Sequence, residues 1–177
     1  MTLASMQDYA LTLEKFLIHA ARWHPAAELV TASLSAGGEN DRIGYEALEV
    51  RSRAVSALLA LRGIKPGDRV ATLAWNTRAH VEAWYGIMGM GAVCHTLNPR
   101  LTADHLAAMA VQSEARLLIA DQDLMPLAAQ LVARAPGLRQ ILVINETGPD
   151  PKPPGDGVTV AGLERLLAEV PGPPVAW

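Results

Sequence analysis

Four short apolar runs recur along the middle of the chain: Val70–Ala74, Ala92–Leu97, Leu117–Ala120 and Ile141–Ile144. The steps between Val70, Val93, Leu117 and Ile141 are 23, 24 and 24 residues. A hairpin returns the chain after a few residues, whereas a strand followed by a crossover helix needs a step of this size. The intervening pieces carry helical patterns. Val81 to Met90 is apolar with glycine near its end, Thr102 is placed to cap a helix carrying Leu106, Met109 and Ala110, and Asp123 to cap one carrying Leu124, Leu127, Ala128 and Leu131. Crossovers between parallel strands are almost always right-handed and lay helices over the sheet. The pattern therefore predicts an α/β fold: a wound, mostly parallel sheet with helices on both faces.

Upstream of this repeat, Leu13, Phe16, Leu17 and Ala20 stand at helical spacing between Thr12, placed as an N-cap, and Pro25. Leu29 to Ser35 alternates apolar and small polar residues, and Ala36-Gly37-Gly38-Glu39-Asn40-Asp41 turns the chain toward Arg42–Tyr45, which predicts a small β-ribbon. Ala47, Val50, Ala54, Leu58 and Leu61 then mark a helix from Glu46 that ends at Gly63, before the turn Lys65-Pro66-Gly67-Asp68. Downstream the rhythm breaks. Residues 145–157 crowd prolines, glycines and acids into a stiff polar loop, Val158–Val160 predicts a short strand, and Leu163 to Glu169 a helix. Seven of the twelve prolines lie from Pro149 onward, and residues 171–177 read as a linker, so the natural chain is expected to continue beyond Trp177.

The 177 residues suffice for one domain with a buried core. Half of them are hydrophobic and mean hydropathy is +0.16, which excludes disorder. Fifteen basic and eighteen acidic residues, with no Lys/Arg cluster, argue against a nucleic-acid partner. One cysteine, Cys94, cannot form an internal bridge, and a reducing, cytoplasmic setting is expected. The longest uncharged stretch, Ala83 to Pro99, is too short and too rich in glycine to span a membrane.

Chemistry is sparse. Gly86-Ile87-Met88-Gly89-Met90-Gly91 reverses the spacing of a dinucleotide loop and is read as close helix–sheet packing followed by a turn. There is no G-x-S-x-G elbow. Asp121 and Asp123 bracket a strand end, but a capping role explains them better than a metal. His80 and His105 fall in the first turns of helices. His95 is different, because it lies late in a strand, at the carboxyl edge where open α/β sheets present ligands.

The run Gly67-Asp68-Arg69-Val70-Ala71-Thr72-Leu73-Ala74-Trp75-Asn76-Thr77 is followed by His80-Val81-Glu82-Ala83-Trp84-Tyr85. Then comes Gly89-Met90-Gly91-Ala92-Val93-Cys94-His95-Thr96-Leu97-Asn98-Pro99-Arg100-Leu101. This string closely resembles the adenylate-forming acyl-CoA synthetases, most of all the medium- and long-chain fatty-acid CoA ligases, and the resemblance extends from Leu13 to the helix around Leu163. One departure is Gly44 before Tyr45, where relatives commonly carry Thr.

The resemblance implies activation of a carboxylate with ATP to an acyl-adenylate, and transfer of the acyl group to coenzyme A. It also implies that the phosphate loop and the residues gripping AMP lie downstream of Trp177. Residues 1–177 are then the N-terminal subdomain of a ligase of fatty-acid metabolism, inactive alone and with no catalytic residue or metal ligand. The segment itself is expected to bind no cofactor; ATP, Mg2+ and coenzyme A belong to the full-length enzyme. Expected partners are the remainder of the ligase chain and a second copy, in a homodimer through Met1 to His24. The strand-end segment is the expected contributor to the acyl pocket, with His95, Thr96, Asn98 and Arg100 as substrate-binding candidates. The alternative is a stand-alone, non-catalytic α/β binding or oligomerisation module.

Overall fold

A computed structural model describes residues 9–33, 38–169 and 177. Met1–Asp8 of the expected dimer contact, residues 34–37 of the expected ribbon and residues 171–176 of the expected linker lie outside the described residues.

The 24-residue rhythm gives β3 (Arg69–Leu73), α3 (Arg78–Gly89), β4 (Val93–Leu97), α4 (Ala103–Ser113), β5 (Leu117–Asp121), α5 (Met125–Arg134) and β6 (Gln140–Ile144). β7 (Thr159–Gly162) and α6 (Leu163–Glu169) follow. The five strands form one sheet in the order β4-β3-β5-β6-β7, parallel throughout, with Val70 beside both Cys94 and Leu117, and Ile141 beside Val160. β5 is central and buried at every position, which is why it reads as an unbroken apolar run rather than an alternating one.

Two cores flank the sheet. Leu73, Leu97, Leu118, Ile141 and Val143 face α4 and α5 through Leu106, Ala110, Ala128 and Leu131. Val70, Leu117, Ile119, Leu142 and Ile144 face Val55, Leu59, Ala83, Ile87 and Leu163 of α2 (Tyr45–Leu61), α3 and α6. Helices thus cover both faces, as predicted. The N-terminal part supplies α1 (Glu14–Trp23) and a two-stranded antiparallel ribbon of β1 (Glu28–Thr31) and β2 (Asp41–Gly44), which pairs Thr31 with Asp41 at one end and Glu28 with Gly44 at the other.

Four local expectations change. Thr12 does not cap α1; the N-cap is Leu13, and the Thr12 hydroxyl bonds Glu14 instead. Asp123 does not cap α5, because a 3-10 turn over Gln122–Leu124 comes first and Pro126 opens the helix. The α2 pattern is only partly right: Leu58 is buried as expected, but Val50 and Leu61 are exposed, and Leu48, Ser52, Val55, Ser56 and Leu59 make up most of the buried face. Finally, Gly86 serves helix–helix rather than helix–sheet packing. A Cβ there would stand 2.7 Å from the Val55 side chain and 2.8 Å from the Ser52 carbonyl, so α2 and α3 touch backbone to backbone.

This seam also receives Trp177, the last residue of the stretch read as a linker, which is half-buried. Its indole N–H donates to Ser56 Oγ at 2.9 Å, Ser56 donates on to Gly86 O at 2.6 Å, and the Arg53 guanidinium lies 4.5 Å from the ring centre.

Candidate functional site

Counting from β3, the sheet order is 2-1-3-4-5, which places the topological switch point between β3 and β5, where such sheets usually open a ligand crevice. Here the chain's own side chains fill that position. Asp121 Oδ2 accepts the Trp75 backbone N–H at 3.0 Å, Asp121 Oδ1 accepts from Asn145 Nδ2 at 2.6 Å, and the Trp75 indole N–H donates to Asp123 Oδ2 at 2.9 Å. Asn145 also reaches Thr77 Oγ1 at 3.1 Å. The ends of β3, β5 and β6 are therefore cross-braced. Asp121 and Asp123 act as acceptors for Trp75, and among the described residues no group of three or more His, Cys, Asp or Glu side chains is placed to hold a metal. Asp121 and Asp123 are thus engaged in the brace rather than paired on an ion. The signal for this brace in the sequence is Asn145, whose φ of 55° is a conformation asparagine tolerates better than most residues.

The open space lies one strand over. A cavity of about 690 Å³ sits at the carboxyl ends of β3 and β4, walled by Leu29, Val30 and Thr31 of the ribbon and by Thr77, His80, Val81 and Trp84 of the α3 N-terminal end. Trp75, Asn76 and residues Thr96–Arg100 complete it. The α3 wall forms here because Thr77 caps the helix, its hydroxyl accepting the His80 backbone N–H.

Three of the four candidate residues meet in this cavity: Thr96, Asn98 and Arg100. Asn98 Oδ1 accepts the Arg100 N–H at 3.0 Å and Asn98 O accepts the Leu101 N–H at 3.0 Å, so the Asn-Pro-Arg step is a braced turn that presents Arg100. The structure does not bring His95 to them. Alternation along β4 turns it to the opposite face from Thr96, with Nδ1 2.8 Å from Ser113 Oγ. Ser113 donates its own proton to Ala110 O at 3.1 Å, so the His95 Nδ1–H is the donor to Ser113. Burial lowers the His95 pKa, and the ring stands as a neutral tie between β4 and α4.

His80, placed by the sequence in the first turn of a helix, is half-buried in the cavity wall. Its Nδ1 lies 3.1 Å from Trp75 O, which can only accept, so Nδ1 carries the proton and Nε2 accepts from Thr72 Oγ1 at 3.0 Å. Burial lowers its pKa, against the opposing pull of the Trp75 carbonyl and Asp121. Cys94, on the next strand, is no nucleophile: burial pushes its thiol up to about 12, with a Thr72 hydrogen bond acting the other way.

Beside the cavity runs a charged network that the sequence pattern did not mark. Glu82 of α3 is fully buried, and its Oε1 accepts from Arg51 Nε at 2.7 Å and from Arg78 at 2.8 Å. Arg51 also pairs with Glu164 of α6, and Arg78 with Asp41 of the ribbon at 2.6 Å.

Residues 17–165 match the AMP-binding enzyme family. The chain belongs to that family. Among its members, the medium-chain-fatty-acid–CoA ligase of Ectopseudomonas oleovorans is 32% identical over 142 residues, covering 80% of this chain and 26% of the relative. The long-chain-fatty-acid–CoA ligase of Thermus thermophilus is 34% identical over 147 residues, covering 83% and 27%. The chain thus spans about a quarter of the length of the curated relatives it matches. Solved structures of the same fold include the adenylation domain of a Mycobacterium chelonae carboxylate reductase, with a TM-score of 0.74 at 17% identity over 97% of this chain and 31% of that one. A Burkholderia xenovorans benzoate CoA ligase gives 0.68 at 22% over 93% and 29%. No described helix is long and apolar enough to cross a membrane.

Proposed function

We propose that the chain is the N-terminal part of an ATP-dependent fatty-acid CoA ligase, which converts a carboxylate, ATP and coenzyme A to acyl-CoA, AMP and pyrophosphate, and that it supplies one wall of the acyl pocket. The identity of 32 and 34% to two fatty-acid ligases across four-fifths of this chain carries the reading. The cavity supports it: Leu29, Val30, Val81, Trp84 and Leu97 offer an apolar surface suited to an alkyl chain, with Thr96, Asn98 and Arg100 as polar contacts at the strand ends. His95 serves from behind, by holding β4 to α4 through Ser113.

ATP, Mg2+ and coenzyme A are requirements of the whole ligase. Phosphoryl and adenylyl chemistry depends on a preorganised backbone and cationic cradle, usually Gly-rich and often ending in Lys. The 177 residues hold no such loop, and the switch point is filled by Trp75, Asp121 and Asn145. Alone, the chain is therefore expected to be inactive. Residues 1–177 form the N-terminal subdomain in this reading, 145–157 and 171–177 its loop and linker. The protein works in the cytoplasm, in fatty-acid metabolism, as a homodimer joined through the N-terminal region, where Leu13, Phe16 and Trp23 of α1 and its approach are exposed.

The test is AMP release with ATP, coenzyme A and fatty acids of increasing length, run on the 177-residue chain and on the product of the reading frame extended past Trp177. Turnover is expected from the extended protein alone. Turnover by the 177 residues unaided overturns the reading, and a stop codon directly after Trp177 favours a non-catalytic binding or oligomerisation module.

A further inference from the structure

The ribbon forms one wall of the cavity without joining the central sheet. Among the described residues, the side-chain hydrogen bonds that tie strands β1 and β2 to the rest of the molecule all run through Arg78, the first residue of α3. Its backbone N–H donates to Thr31 Oγ1 at 2.8 Å and its Nε to Asp41 Oδ2 at 2.6 Å. Thr31 and Asp41 face each other across the ribbon, so one residue grips both strands at the same rung. The other limb of the guanidinium is held by Glu82, which is fully buried and backed from α2 by Arg51.

We propose that Arg78 is a positioning residue that clamps the β1–β2 ribbon to the start of α3 and so sets the width of the cavity, with Glu82 as its buried anchor. A guanidinium suits this task because its planar fork can serve two carboxylates at once, which a single ammonium cannot do in the same geometry. The grip falls one turn before Val81 and close to Thr77, both of which line the cavity, so a change in the ribbon's seat is a change in cavity shape. The inference takes the ligand class from the acyl-pocket reading, but the clamp itself stands on the ribbon contacts.

Two measurements on the protein extended past Trp177, in which the acyl-pocket reading completes the pocket, and on its variants separate these layers. Amide hydrogen exchange of residues 28–31 and 41–44 should quicken about tenfold or more in Arg78→Ala while β5 and β6 stay protected, as expected for a local opening. Thr31→Val and Asp41→Asn, which leave the Glu82 pairs in place, should loosen the same residues, and Arg78→Lys should fail to restore protection. Binding of dodecanoate by calorimetry should weaken in each variant in the order of its ribbon exchange. Unchanged ribbon exchange in Arg78→Ala overturns the clamp, as does equal dodecanoate affinity across variants whose ribbons have loosened. If Arg78→Ala does not fold, the Thr31→Val/Asp41→Asn pair is read by the same criteria. A loosened ribbon in a protein whose wild type binds no dodecanoate supports the clamp and sinks the acyl reading alone.

Discussion

His80 and His95 stand on different faces of the strand-end region, and burial holds both below the ordinary imidazole value of 6.5. The consequence for stability has a definite sign. A depressed pKa in the folded state means that the unfolded chain binds more protons between the two values, so stability is fully present above 6.5 and is lost as pH falls through the folded pKa values. Urea melts between pH 7.5 and pH 5 should show a midpoint that drops as pH falls below about 6.5. In His80→Gln that drop should be shallower. A midpoint independent of pH across that window would contradict the buried, neutral assignment. The sequence placed His80 correctly at the start of a helix but could not show its ring folded back onto Trp75 and Thr72, because those partners come from the preceding strand and its turn. His95 shows the converse: its place at a strand end was legible, while the face it points to depended on the register of β4, which the residue string alone does not give.

At the scale of elements, the seam between α2 and α3 is governed by small residues rather than by apolar ones. Of the expected stripe only Leu58 is buried while Val50 and Leu61 are exposed, and Ser52 and Ser56 are buried because the helices meet at Gly86, where a larger side chain on either side would force them apart. Counting hydrophobic residues misses a face whose qualification is size. The strands β3, β5 and β6, by contrast, were legible, since a parallel strand covered on both sides must be a short continuous apolar run. Trp177 allows a test of the seam by sign. A Cβ on Gly89 would lie within 2.6 Å of indole Nε1, so Gly89→Ala should lower the thermal midpoint despite the gain of about 1 kcal/mol that alanine brings to a helix. In a Trp177→Ala background the same change should raise the midpoint. Thermal unfolding of the four proteins completes the cycle, and the same sign in both backgrounds would show that the ring does not occupy the notch.

For the whole molecule, the apolar surface left open is concentrated in the N-terminal part and at the β4 border. Leu13, Phe16 and Trp23 are exposed at and along α1, while Leu17 is buried, and Val93 is exposed on β4, the outermost strand of the sheet on that side. Association of copies through α1 should appear in sedimentation velocity as a concentration-dependent shift toward a dimer. Phe16→Ser combined with Trp23→Ser should shift the population to monomer without altering the fold. A wild-type chain that stays monomeric at every concentration, or a dimer indifferent to these substitutions, would count against the N-terminal contact.

The brace that Trp75, Asp121 and Asn145 build across the ends of β3, β5 and β6 has a mechanical corollary. It makes one flank of the cavity rim stiff, while the opposite flank, where β2 runs straight into α2, takes its side-chain hydrogen bonds among the described residues from a single arginine. In the proposed acyl-pocket role, guests of different girth would then be accommodated asymmetrically, by displacement on the ribbon side, with the strand ends serving as a fixed gauge.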